Sequence, residues 1–176
     1  MRKVVLKFGF ISGGILSALM LMTVPFIDQI GFDYGAILGY TTMVLAFLLV
    51  YFGVRSYRDA SGGVISFGRA FRVGITITAV ASACYVASWQ VVYYRFMPDF
   101  GDKYATHMIN KARADGGSDE EIAKLTAEMA KFNEMYKNPL VNIAFTFLEP
   151  LPVGLIMTLV AAGMLRRRSV PTPLPA

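Results

Sequence analysis

The residues best placed to do chemistry in an unusual setting are Glu149, Pro150 and Pro152. They interrupt an apolar run at residues 140–165, and Glu149 is the one acidic or basic side chain inside any of four such runs. A carboxylate at membrane depth is costly to hold, and by default it marks an ion path, a proton relay or a ligand site. Each proline removes a backbone donor, so the helix is predicted to bend or unwind there, freeing carbonyls to line a cavity. Arg166 follows Glu149 by 17 residues, about 25 Å along an ideal helix at ~1.5 Å per residue. Glu149 therefore falls toward the far side of the membrane from Arg166. Two readings stay open. The carboxylate is a working group that carries a proton or pairs with Arg95, or it sits among headgroups and is merely solvated.

Other chemistry is hard to find. The chain has no HExxH, no GxSxG, no P-loop and no G-x-G-x-x-G following a strand. Cys84 is the single cysteine and lies in an apolar run, where it reads as a packing residue. His107 is the single histidine and reads as a surface residue, so no Cys/His set is available for a metal. Asp119, Glu120 and Glu121 are neighbours because they open a helix. These absences predict no enzyme activity, no metal and no cofactor.

The elements that must position Glu149 are membrane spans. The chain is 55% hydrophobic and 16% charged, against about 25% charged in average soluble domains. Apolar runs at 8–27, 34–54, 73–94 and 140–165 each hold 20 residues or more, enough for a helix to cross ~30 Å of hydrocarbon. Ten of the 17 lysines and arginines flank these runs: Arg2, Lys3, Lys7, Arg55, Arg58, Arg69, Arg72 and Arg166–Arg168. That distribution explains the net charge of +5 as a topology signal and leaves no basic face for nucleic acid. Short basic loops stay on the cytoplasmic side, which predicts both termini and the 55–72 loop to be cytoplasmic. Within that loop, Phe67 and Phe71 alternate with Arg69 and Arg72. Either a short surface helix dips its rings into the membrane, or the segment is the lead-in turn of the third span. In both cases Arg55, Arg58, Arg69 and Arg72 are predicted to meet anionic lipid headgroups. Gly9, Gly13 and Ser17 recur every four residues and predict close helix packing, within the bundle or in a dimer. Trp89, Tyr93 and Tyr94 predict an aromatic belt at the opposite interface.

Residues 95–138 form the one sizeable polar region, with seven basic and eight acidic side chains. Ser118 followed by Glu121 has the form of a capping box. Ile122, Leu125, Met129, Phe132 and Tyr136 then mark a narrow apolar seam. Tyr104, Met108 and Ala112 mark a shorter helix upstream, with Gly116-Gly117 between the two. The expected fold is an all-α integral membrane four-helix bundle, a single domain over 1–168. An extracytoplasmic helical hairpin separates spans three and four, and a disordered tail follows at 169–176.

The chain resembles the DUF4199 family of small bacterial membrane proteins of unknown function. The residues that carry the resemblance are Tyr51-Phe-Gly-Val-Arg-Ser-Tyr-Arg-Asp59, Gly62-Gly63-Val-Ile-Ser-Phe67, Gly68-Arg-Ala-Phe71 and Gly74, with Pro150, Pro152 and Gly154 in the fourth span. The resemblance implies four spans and a bacterial inner membrane, and it implies no activity. From the residues themselves, the leading expectation is a non-enzymatic accessory or assembly partner in contact with lipids and a membrane protein or its own copies. The alternative is a small oligomeric transporter or channel using Glu149. A membrane enzyme acting on lipid or envelope substrates comes third.

Overall fold

The computed structural model describes residues 1–166 and is all-helical over them. Arg167, Arg168 and the expected tail at 169–176 lie outside the described residues. Eight α-helices run in order: α1 Arg2–Thr23, α2 Ile27–Ile30, α3 Phe32–Ala60, α4 Phe67–Arg95, α5 Phe100–Ala114, α6 Asp119–Tyr136, α7 Pro139–Leu148 and α8 Leu151–Leu165. Four stretches are long and apolar enough to cross a membrane: Arg2–Ile30, Phe32–Ala60, Phe67–Arg95 and Pro139–Leu165. The first three exceed their apolar runs because charged flanks continue the helix, whereas the fourth adds only Pro139. α4 begins at Phe67 with Ser66 accepting from the Arg69 amide as N-cap. The arginine-bearing segment is therefore the lead-in of the third span and not a separate surface helix. Phe67 and Phe71 stack one turn apart on it.

α4 is the central helix. Half of its most apolar stretch is buried, against 22–33% for the other three spans. It packs against α1, α3, α8 and α7, while α8 sits between α3 and α4. Small residues decide where the backbones meet. A Cβ on Gly9 would stand 2.6 Å from Val80, and one on Gly13 would stand 2.6 Å from the Cβ of Cys84. The glycine face of α1 is thus consumed by α4. The other close crossing is between α4 and α8, where Gly74 faces Thr158 and Gly154 faces Thr78. The Thr78 hydroxyl stands 3.4 Å from both the Gly154 carbonyl and the Thr158 hydroxyl. By contrast, Ala83 and Ala87 of α4 face outward.

The main core lies toward the Arg55–Arg72 end. Phe47, Val50, Val54, Ile65, Val73 and Ile77 are almost completely buried there. A second, smaller cluster sits at the opposite end, where Met20, Trp89, Val92, Tyr93, Met97 and Tyr136 pack together. Burial of Trp89 and Tyr93 beneath α5 and α6 corrects the expected aromatic belt. Only Tyr94 of the three is exposed. The rings face the hairpin because α4 runs straight into it and the next helices fold back over its end.

Candidate functional site

The fourth apolar run is two helices, and the break falls where the prolines place it. Pro150 cannot donate to the Thr146 carbonyl, and Pro152 cannot donate to the Leu148 carbonyl. α7 therefore stops at Leu148 and α8 restarts at Leu151. The two halves have different neighbours. α8 fills the space between α3 and α4, whereas α7 leans on α4 and α6. The half of α3 nearest α5 loses its neighbour there, and a recess opens beside it.

The recess encloses about 420 Å³. α1 contributes Leu16 and Met20 to its wall, α3 contributes Leu38, Gly39 and Met43, and α4 contributes Tyr85 and Trp89. Phe100 and Tyr104 of α5 close over it, and Glu149 stands in the wall at the helix break. Glu149 is exposed by area yet hemmed in by protein on most sides. Both hold because its carboxylate opens onto the recess. Tyr85 donates a hydrogen bond to Glu149 Oε2 at 3.2 Å. Among the described residues, no lysine, arginine or histidine is within ion-pair distance of Glu149. Arg95, the partner considered from sequence, is not in contact with it.

A buried polar ladder backs the recess. Trp89 Nε1 donates to the Tyr136 hydroxyl at 3.0 Å, which stands 3.4 Å from the Thr146 hydroxyl. Thr146 in turn donates to the Asn142 carbonyl at 2.8 Å, and Gln90 Nε2 donates to Asn142 Oδ1 at 2.6 Å. Burial pushes the Tyr136 hydroxyl above its ordinary pKa, so it stays protonated and available to this ladder. Together these bonds tie α7 to α4 and to the end of α6, holding α7 away from α3.

The rim is closed by charge. Lys103 bonds Asp28 at 3.0 Å, and Lys111 bonds Asp33 at 2.9 Å with His107 3.4 Å from the same oxygen. The carboxylates raise the pKa of both lysines. Phe32 sits edge-on to Phe100 and Tyr104, with ring centroids 5.8 and 5.7 Å away. α5 is thereby strapped across the α2–α3 turn. In the hairpin, Ser118 and Glu121 form the capping box in both directions. Asn133 donates to Asp102 at 3.0 Å and joins α6 to α5. The seam is used internally, with Ile122 and Tyr136 buried and Leu125, Met129 and Phe132 half-buried.

Of the residues singled out from sequence, Glu149, Pro150 and Pro152 cluster at the break beside the recess. Pro150 is itself fully buried. Arg55, Arg69 and Arg72 are exposed at the far end, while Arg58 is half-buried and bonds Asp59 at 2.8 Å. Tyr85, Gly39 and Trp89 were missed as recess residues. The only sequence signal for Tyr85 is a hydroxyl one turn before Trp89, and a tyrosine in an apolar run is unremarkable.

Four helices long and apolar enough to cross a membrane, in an all-helical fold over the described residues, point to a membrane protein. The chain belongs to the family described as "Protein of unknown function (DUF4199)", whose family model matches residues 7–167. No curated protein and no solved structure matches it.

Proposed function

We propose that this is a non-enzymatic carrier-type protein of the bacterial inner membrane. Its four-helix bundle admits an amphipathic solute into the recess beside Glu149. The carrying observation is the carboxylate itself, set in the wall of a cavity of about 420 Å³, within the range of small-molecule sites. The gap between α3 and α7 gives a solute a sideways path from the lipid. The tightly packed core around Phe47 and Val73 seals the other end. This is the arrangement of a carrier open on one side, and it argues against a continuous channel. Eight described basic residues at the sealed end, Arg2, Lys3, Lys7, Arg55, Arg58, Arg69, Arg72 and Arg166, support its placement in the cytoplasm, with both termini there, and support an extracytoplasmic hairpin. The exposed Arg55, Arg69 and Arg72 then meet anionic lipids. Lipids surround the spans, and copies of the chain can associate through the outward faces.

The test uses two glycines with open space around them. A Cβ at Gly39 or at Gly14 meets nothing within 4 Å, but only Gly39 lines the recess. Under conditions where deletion of the gene is harmful, the wild type and Gly14→Phe should restore growth. Gly39→Phe and Glu149→Leu should not, and Glu149→Asp should restore it in part. Full rescue by Gly39→Phe and Glu149→Leu would overturn the carrier reading and leave the accessory role.

A further inference from the structure

Among the described residues, the carboxylate of Glu149 has no counter-charge within ion-pair distance. Lys103, Lys111 and His107, the basic side chains at the rim, are engaged with Asp28 and Asp33. Among the described residues, no basic side chain lines the recess, whereas Tyr40, Tyr85, Trp89, Phe100 and Tyr104 all do. Aromatic faces carry negative potential and attract cations, most strongly where water is excluded. The remaining wall, including Leu16, Met20, Leu38 and Met43, is apolar. Resting on the carrier reading, we propose that the recess selects amphipathic organic cations, amines or quaternary ammonium-like ions bearing apolar groups, which displace a proton from Glu149.

The exchange balances. With the recess empty, the protonated carboxyl avoids a bare charge at membrane depth. When the cation enters, the proton leaves to water and the carboxylate pairs with the incoming charge. The net charge of the site is unchanged. Tyr85 donates to the carboxylate oxygen and holds it facing the recess, leaving the second oxygen for the ligand. An anion would meet a carboxylate and aromatic faces of the same sign. A neutral amphiphile would fill the volume and gain nothing from Glu149.

The test follows from the single tryptophan of the chain, Trp89, which lines the recess and reports on its occupancy. The full chain in phosphatidylcholine nanodiscs is titrated with tetraphenylphosphonium, tetraphenylborate and triphenylphosphine oxide while Trp89 emission is followed. Tetraphenylphosphonium should change the emission saturably, with proton release and with apparent affinity falling about tenfold per pH unit once Glu149 is protonated. Glu149→Gln should weaken it at least about tenfold and leave the neutral probe unchanged. If the borate or the oxide binds as tightly as the cation, or if Glu149→Gln has no effect, cation selection is overturned and the recess reading survives. If none of the three saturates, and Gly39→Phe behaves like the wild type with all of them, the recess reading falls as well.

Discussion

Removing one oxygen atom from Tyr136 tests whether the polar ladder holds the hairpin on the bundle. Tyr136 and Trp89 are 9% and 7% exposed, so neither can turn to water when its partner is lost. Tyr136→Phe keeps the ring, which stands 5.5 Å from Tyr93 and 5.4 Å from Phe132. It deletes the acceptor of the 3.0 Å bond from Trp89. The Thr146 hydroxyl loses little, because its proton already goes to the Asn142 carbonyl at 2.8 Å. One buried N–H is therefore orphaned, at a cost of about 1–3 kcal/mol. A loss near 2 kcal/mol is roughly a 30-fold change in the unfolding equilibrium, since each 1.4 kcal/mol is a factor of ten. Mixed-micelle unfolding followed by circular dichroism measures it. A cycle with Trp89→Phe isolates the pair, because the double variant leaves no orphaned donor and should lose less than the sum of the singles. If Tyr136→Phe is as stable as the wild type within about 0.5 kcal/mol, the size of an ordinary surface change, the ladder does not hold the hairpin.

Two further outcomes follow from the packing and the charge pattern. Gly13→Leu should destabilise by about 1–3 kcal/mol, as overpacking does, because its Cβ meets Cys84 at 2.6 Å and the Ala81 Cα at 3.2 Å. Gly14→Leu, which meets nothing within 4 Å, should be neutral in the same assay, and equal stability of the two would show that the α1–α4 contact is loose. For orientation, cysteines introduced at Ser118 and at Ser61 in a Cys84→Ser background should differ toward an impermeant reagent in intact spheroplasts. Label is expected at Ser118 alone, and label at Ser61 alone would invert the topology.

Local features carried their own instructions in the chain. The capping box forms from Ser118 and Glu121 because both partners lie within one helical turn. The fourth run breaks at Glu149-Pro150 because a proline lacks its donor in any context. The glycine face of α1 was legible as a packing face, although its partner was not. Trp89 and Tyr93 show the limit. Amphipathic rings near a span end suit a headgroup belt and a hairpin-covered core equally, and only the fold-back of α5 and α6 distinguishes them.

The sequence by itself determined how many helices can cross a membrane, where the fourth one breaks and which carboxylate lies within it. Those properties depend on hydrophobic length, missing donors and charge at single positions. Tertiary structure alone decided that the carboxylate faces a recess. That outcome needs the end of α6 and α7 to be held against α4 by bonds between residues 47 and 52 positions apart, Trp89 to Tyr136 and Gln90 to Asn142. It also needs α5 to be strapped over the opening by pairs 75 and 78 positions apart, Asp28 to Lys103 and Asp33 to Lys111. No periodicity encodes such pairings. A hydrogen bond between distant segments forms only once helix packing has brought both partners within about 3 Å of one another.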